Sequence, residues 1–282
     1  MDRLRRKMDE SDEGVATTVG TIMALLIFLS ILSLITQQYV PVWMEDNEAY
    51  HMDEVKGQFA ELKNGIDSLV INDEMEGYPL YSSVNLGTSG VPLFAGSSPG
   101  RLTFNPRGDP EGGMYLSFND NDTGEEVSFT SSGTISYEAI NREFEDQTLV
   151  YEQGAIILDQ SDGTIIRAEP HISIDNVTGE YEVSMTMIHL TGSSRDVAGT
   201  SRVGITTELV STFSNTYTDI EKENLNWSLT TEYPEVWKDY FNNETAAEAN
   251  ITNGNSVNIN FPEGNITELE ITRVRVEVEV AS

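Results

Sequence analysis

From Gly14 to Met44 the chain carries no charged residue, and Val15–Val42 within that stretch is rich in Ile, Leu, Met and Phe. No other feature limits the fold so strongly. Wound as a helix, about 26 residues rise roughly 39 Å, enough to cross a hydrocarbon core of ~30 Å with some tilt. A secretory h-region is shorter, about 7–15 residues, and no A-x-A-like cleavage site follows this run. Arg3, Arg5, Arg6 and Lys7 precede it, and Glu45, Asp46 and Glu48 follow. The positive-inside rule then predicts a single-pass protein of the cell membrane, N-terminus in the cytoplasm and bulk outside, with membrane lipid as its first partner. Tyr39 and Trp43 fall where an outer aromatic belt belongs. Pro41 predicts the end of the membrane helix, or a kink in it.

The stretch Glu13-Gly14-Val15-Ala16-Thr17-Thr18-Val19-Gly20-Thr21-Ile22 resembles the start of archaeal, and in particular haloarchaeal, type IV pilins and pilin-like surface proteins. These carry a short basic leader, a small residue before the cut and a hydrophobic helix after it. The resemblance covers about the first 45 residues. It implies a class III signal cut between Gly14 and Val15 by a prepilin peptidase, with the helix retained and neighbouring pilin-like subunits as further partners. Two positions depart from related patterns. Glu13 stands where haloarchaeal pilins usually have a base, and Val19 stands where bacterial pilins place a Glu. The competing reading of the same residues is an uncleaved signal anchor with Gly14 in a loop.

Beyond the membrane segment, charge is the outlier. The 282 residues carry 47 acids and 16 bases, a formal net charge of −31, and from Glu45 onward the acids are dispersed through every segment. Such a surface repels nucleic acid. It also repels itself, and molar salt would screen that repulsion by cutting the Debye length to roughly 3 Å. With only five lysines, the pattern predicts adaptation to high salt, as in halophilic archaea; a merely acidic secreted protein is the alternative. There is no cysteine, which excludes disulfides, thiolate metal sites and cysteine nucleophiles.

The chain divides into a basic leader (1–14), a transmembrane helix (15–42), an amphipathic stalk helix (45–72), a linker (73–99) and an extracellular β domain (100–282). In the stalk, Met52, Val55, Phe59, Leu62, Ile66 and Leu69 recur at spacings of three and four, a stripe that packs either on the β domain or against neighbouring copies. Gly and Ser at 87–100 mark a loop. Hairpins are predicted over 114–130, over 155–168 and around Thr178-Gly179. In 202–217, Val203, Ile205, Leu209, Phe213 and Tyr217 are expected on one face. At the C-terminus Leu269 and Ile271 alternate out of phase with Val274–Val280, which predicts a bulge near Thr272-Arg273. That final strand is either paired inside a sheet or open for strand addition. Pro234–Phe241 reads as a short helix capping the sheet. The fold class is therefore an N-terminal transmembrane helix and an amphipathic helix, then a mainly antiparallel β domain, a sandwich or curled sheet with one short helix.

The search for chemistry finds no hydrolase, nucleotide or zinc signature, so no catalytic residue, metal ligand, cofactor or small-molecule substrate is assigned. His51, His171 and His189 read as structural. Asp120-x-Asp122-x-Gly124 has the outline of a calcium loop, but its Gly is misplaced for an EF-hand and a hairpin turn explains it; Asp159 and Asp162 read likewise. Sequons at Asn121, Asn176, Asn226, Asn243, Asn250 and Asn265 are candidate N-glycosylation sites, four of them within 226–265; an Asn-rich surface is the plain alternative.

Two functions follow. One is a structural or adhesion subunit, a minor pilin or pilus-associated protein, processed at Glu13, Gly14 and Val15 and packing through Leu25, Leu29 and Leu32. About 240 residues beyond the membrane suit a minor or tip subunit better than a densely packed major one. The other is a signal-anchored envelope protein whose β domain binds a glycan, an S-layer or a solute. An anchored hydrolase has no residue set behind it.

Overall fold

The computed structural model describes residues 2–72, 76–121 and 123–281, with side chains from Val15 onward. One helical rod opens the chain: α1 (Asp2–Leu34), a π-helical turn (Ile35–Tyr39) and α2 (Val40–Ile71) run end to end. Pro41 does not end it. The chain instead inserts a wide turn just before the proline, with Val40 N donating to Ile35 O five residues back. The wider turn moves away the carbonyl that an α-helical Pro41 would strike, so the missing N–H is absorbed without a break. Membrane and stalk segments are thus one rod.

The β domain has sixteen strands among the described residues, in three sheets. The first has the order β1 (Leu80–Asn85), β12 (Arg202–Ile220), β16 (Ile266–Ala281), β10 (Glu180–Thr191) and β9 (Ile172–Val177). The second has the order β11 (Arg195–Gly199), β2 (Gly100–Asn105), β5 (Thr134–Ala139), β6 (Gln147–Glu152), β7 (Ala155–Gln160) and β8 (Gly163–Ala168). The third has the order β14 (Glu248–Thr252), β15 (Ser256–Asn260), β13 (Asn226–Thr230), β3 (Met114–Asn119) and β4 (Glu126–Ser131). All these pairings are antiparallel except β10–β16. The three predicted hairpins are present as β3–β4, β7–β8 and β9–β10. Sheet structure begins earlier than position 100, because β1 lies within 73–99 and pairs with β12.

Two apolar cores fill this frame. The stalk stripe Met52, Val55, Phe59, Leu62, Ile66 and Leu69 is wholly buried in the first, against β1, β2, β5, β6, β7 and the ends of β12 and β16 nearest the rod's apolar segment. Of the two readings of that stripe, packing on the chain's own domain is the one observed. The second core lies between the third sheet, the far halves of β10 and β16, and α3 (Pro234–Glu244), whose Trp237, Tyr240 and Phe241 are buried. Strands β6 and β7 separate the cores: Leu149, Tyr151, Ile156 and Leu158 face one, and Val150, Ala155 and Ile157 face the other.

This arrangement corrects two strand readings. No register shift occurs at Thr272-Arg273; β10 and β16 stay in step from Glu182↔Glu268 to Thr191↔Glu277. Leu269 and Ile271 face one core and Val274–Val280 the other, so the sheet simply changes which face it buries. Strand β10 switches at the same level, with Met187 in one core and Ile188 in the other. The bulge is in β12, between Leu209 and Ser211. Its extra residue reverses the strand's facing. Val203, Ile205 and Leu209 therefore meet the stalk, while Tyr217 packs edge-on to Phe118 at 4.8 Å and Phe213 lies 5.9 Å from Phe129. The C-terminal strand is not open for addition: it is central, between β12 and β10, with Val280 opposite Ile205.

Candidate functional site

Among the described residues, none covers the apolar segment from Val15 to Ile31. Val15, Val19, Ile22, Met23, Leu25, Leu26, Ile27, Phe28, Leu29 and Ile31 are each about half exposed or more, which covers every side of the helix, and its most apolar stretch is unburied throughout. By length and composition this one helix is able to cross a membrane. Contiguous apolar surface on this scale requires cover, from lipid or from other apolar helices, because each Å² left in water costs about 25 cal/mol. Leu25 and Leu29 are exposed and Leu32 is half-buried. The Gly14–Val15 bond lies within α1 and not in a loop; Val15 is exposed, while the side chains of Glu13 and of the basic leader lie outside the described residues.

Two turns above Val40, Glu48 locks the rod to the domain. Its side chain is fully buried, and its carboxylate accepts the Ser98 hydroxyl and three successive backbone N–H groups, Arg142 at 3.0 Å, Glu143 at 2.9 Å and Phe144 at 2.8 Å. Burial by itself would raise its pKa. The donors from Phe144, Ser98, Glu143 and Arg142 outweigh that, and the carboxyl is held below its ordinary value. A turn higher, His51 Nε2 lies 3.0 Å from Asn85 O, and burial lowers its pKa. Near the top of α2, Asp67 bridges Lys63 at 2.9 Å and His171 at 3.0 Å. Glu48 was legible only as one acid among many, although its place among Met44, Met52 and Val55 on the stripe was a usable signal.

Acids also gather in a cleft of about 320 Å³ on the face of the second sheet, where Asp109, Glu138, Glu152, Asp159 and Glu232 meet Arg101. Glu152 is 3 % exposed and accepts hydrogen bonds from Thr231 Oγ1 and Trp237 Nε1, both at 2.7 Å. Burial dominates here and pushes its pKa up to about 7, against those two donors and with the Glu232 charge adding to the rise. Among the described residues no group of three His, Asp or Glu side chains is placed to hold a metal ion. His189 Nδ1 accepts from Ser132 N at 3.1 Å, a structural contact. Asp122 lies outside the described residues, and Asp120 holds the β3–β4 turn through Gly124 N at 2.8 Å and Thr123 Oγ1 at 2.8 Å. Asp159 accepts from Thr164 across the β7–β8 hairpin.

All six sequon asparagines are exposed. They lie in the half of the domain built on the second core: Asn121 in the β3–β4 turn, Asn176 in β9, Asn226 in β13, Asn243 in α3, Asn250 in β14 and Asn265 just before β16. The Asn121 amide donates to Asp219 O, and Asn176 Oδ1 accepts from Gly179 N in the turn.

The sequence profile of a family of unknown function, DUF7289, matches residues 112–279, more than half of the chain and most of the β domain. No curated protein and no solved structure matches.

Proposed function

The chain belongs to the DUF7289 family, and we propose that it is a membrane-anchored, pilin-like structural or adhesion protein, a minor or pilus-associated subunit that acts by assembly. The observation that carries this reading is the contrast along one helix. From Val40 upward one face of the rod is buried, while Val15–Ile31 below it is apolar and exposed. With the stalk stripe consumed internally, the lower segment is the one left to meet neighbouring subunits. In this reading a prepilin peptidase cuts after Gly14 and removes the Arg3–Lys7 charges. The freed helix then leaves the lipid and packs through Leu25, Leu29 and Leu32 against its neighbours. The domain stands outside the cell, its far half carrying glycans on the exposed sequons, in a medium salty enough to screen its charge.

The test is the mature N-terminus, read by mass spectrometry from membrane and extracellular fractions of the native host. A chain starting at Val15 is the expected result. A chain that retains Arg3–Lys7 would overturn the pilin reading in favour of a signal-anchored envelope protein. The acidic cleft around Glu152 would then be the first place to look for a bound glycan or cationic solute.

A further inference from the structure

Between β1 and β2 the chain forms a small closed loop with an apolar tip. At its neck, Thr88 N donates to Ser98 O at 3.0 Å and Ser98 N to Thr88 O at 3.2 Å. At the tip, Val91 O accepts from Phe94 N at 3.0 Å and Ala95 N at 2.9 Å. The loop is filled by its own backbone: a Cβ on Gly90 would stand 2.1 Å from Ala95 O, so glycine alone fits there. This is a fixed shape of the Ω-loop kind. Yet it leaves Pro92, Leu93 and Phe94 exposed in succession, Leu93 completely so and at φ 71°, a conformation that branched residues seldom adopt.

The loop's position gives that exposure a meaning. Strand β1 runs down α2 toward the apolar segment: Leu80 and Ser82 lie beside Gly65, Asn85 beside His51, and Ser98 reaches Glu48. Below Glu48, Met44 and Val40 are also buried, at 1 % and 6 % exposure, so protein covers the rod for two further turns. Tyr39 and Trp43, about half exposed with rings 6.1 Å apart, stand at that level. Arg142 belongs to the segment that Glu48 grips; its exposed guanidinium lies 3.4 Å from where a Cβ on Gly96 would stand. The loop's neck stands at Glu48, and its Ser89 and Gly90 share a surface hollow with Asn47 and Tyr50, just above the aromatic pair. An apolar tip with a cation beside it has the chemistry of the headgroup–acyl boundary.

We propose that the Val91–Ala95 tip is a second membrane contact, with Leu93 and Phe94 entering the bilayer interface beside Trp43 and Arg142 facing lipid phosphate. The proposal rests on the reading that Val15–Val42 crosses a bilayer. Helix, Glu48 clamp and tip together seat the domain in one orientation on the membrane. Because the contact is apolar, it holds where the domain's negative charge would otherwise lift it from anionic headgroups.

The absence of cysteine makes the test direct. Full-length Leu93→Cys, Leu29→Cys and Glu263→Cys variants are labelled with bimane and reconstituted in phosphatidylcholine vesicles with or without brominated acyl chains. The expected result is strong quenching at position 29, none at 263, and quenching at 93 of at least about half that at 29, larger for bromines near the carbonyl end than for deep ones. Quenching at 29 with none at 93 would overturn this inference and leave the membrane helix standing. No quenching at 29 would overturn both. A dye at 93 that is shielded equally without bromine, together with a disulfide-linked dimer formed by unlabelled Leu93→Cys protein under an added oxidant, would assign the tip to a neighbouring subunit instead of lipid.

Discussion

Glu48 and Glu152 are both buried glutamates, yet their carboxyls are pushed in opposite directions. Four donors converge on Glu48, three of them successive backbone N–H groups that cannot turn away, and together they replace the water it lost. Glu152 is buried with two donors on one oxygen only, and the Glu232 charge adds to the effect of burial, so its neutral form is favoured. The stability consequences follow from linkage. For Glu48 the folded pKa is depressed, so its contribution is present above the carboxyl's ordinary value near 4.5 and disappears as pH falls through the lower folded value. For Glu152 the folded pKa is about 7 against an ordinary 4.5. The folded state therefore holds a proton that the unfolded chain has lost, and stability falls as pH rises from 4.5 through 7. The full span is about 3 kcal/mol, since one unit is 1.36 kcal/mol. Glu152→Gln keeps an acceptor for Thr231 and Trp237 and removes the charge. Its melting temperature relative to the parent is expected to climb between pH 5 and pH 8; a difference that stays flat over that range would show that Glu152 does not hold the proton.

At the level of elements, α2 is held by side chains rather than by helix propensity. Its stripe is unexposed along six residues, with Phe59 at the middle and Tyr137, Tyr151 and Val276 in the same core. Phe59→Ala leaves a cavity that strands on two sides cannot readily close, and the expected cost is about 3–5 kcal/mol. Denaturant unfolding of the full chain in detergent micelles measures it; a loss below about 1 kcal/mol would mean the helix is a detachable stalk. The stripe's spacing made α2 readable from the sequence, because threes and fours suit one helical face. The long strands were harder. In β16 the phase change between Ile271 and Val274 is visible in the residues, but two structures produce it: an inserted residue, or a strand buried on opposite faces along its length. The choice depends on what packs on each side, and the partners Ile188 and Met185 lie some eighty positions away. In β12 the inserted residue is real but silent, because Val210 is an ordinary strand residue and the polar run after it hides the change of facing.

For the whole molecule, the two cores divide the tasks. The core nearer the apolar segment grips the rod, and the farther one supports the surface that carries every sequon. Over both lies a charge of −31. Surface repulsion of this kind opposes compaction until salt shortens its range. The melting temperature of the full chain in a non-ionic detergent is therefore expected to rise steeply from about 0.1 M to 1 M KCl and then to level off. A melting temperature independent of salt would remove the high-salt reading while leaving the fold unaffected.

By itself the sequence determined the elements governed by short-range physics. An uncharged apolar run specifies a membrane-length helix, its flanking charges specify a predicted direction, and the alternation around Thr178-Gly179 and 155–168 specifies hairpins. Pro234 before Trp237 specifies a short helix. Tertiary structure decided everything that depends on distant partners. It chose the domain over a neighbouring copy as the cover for the stalk stripe, and it placed β16 between β12 and a parallel β10. It also singled out two of 47 acids, by giving one a ring of donors and by burying the other with only two. A carboxylate looks the same in any sequence; its proton affinity is set by the groups that folding brings within about 3 Å of it.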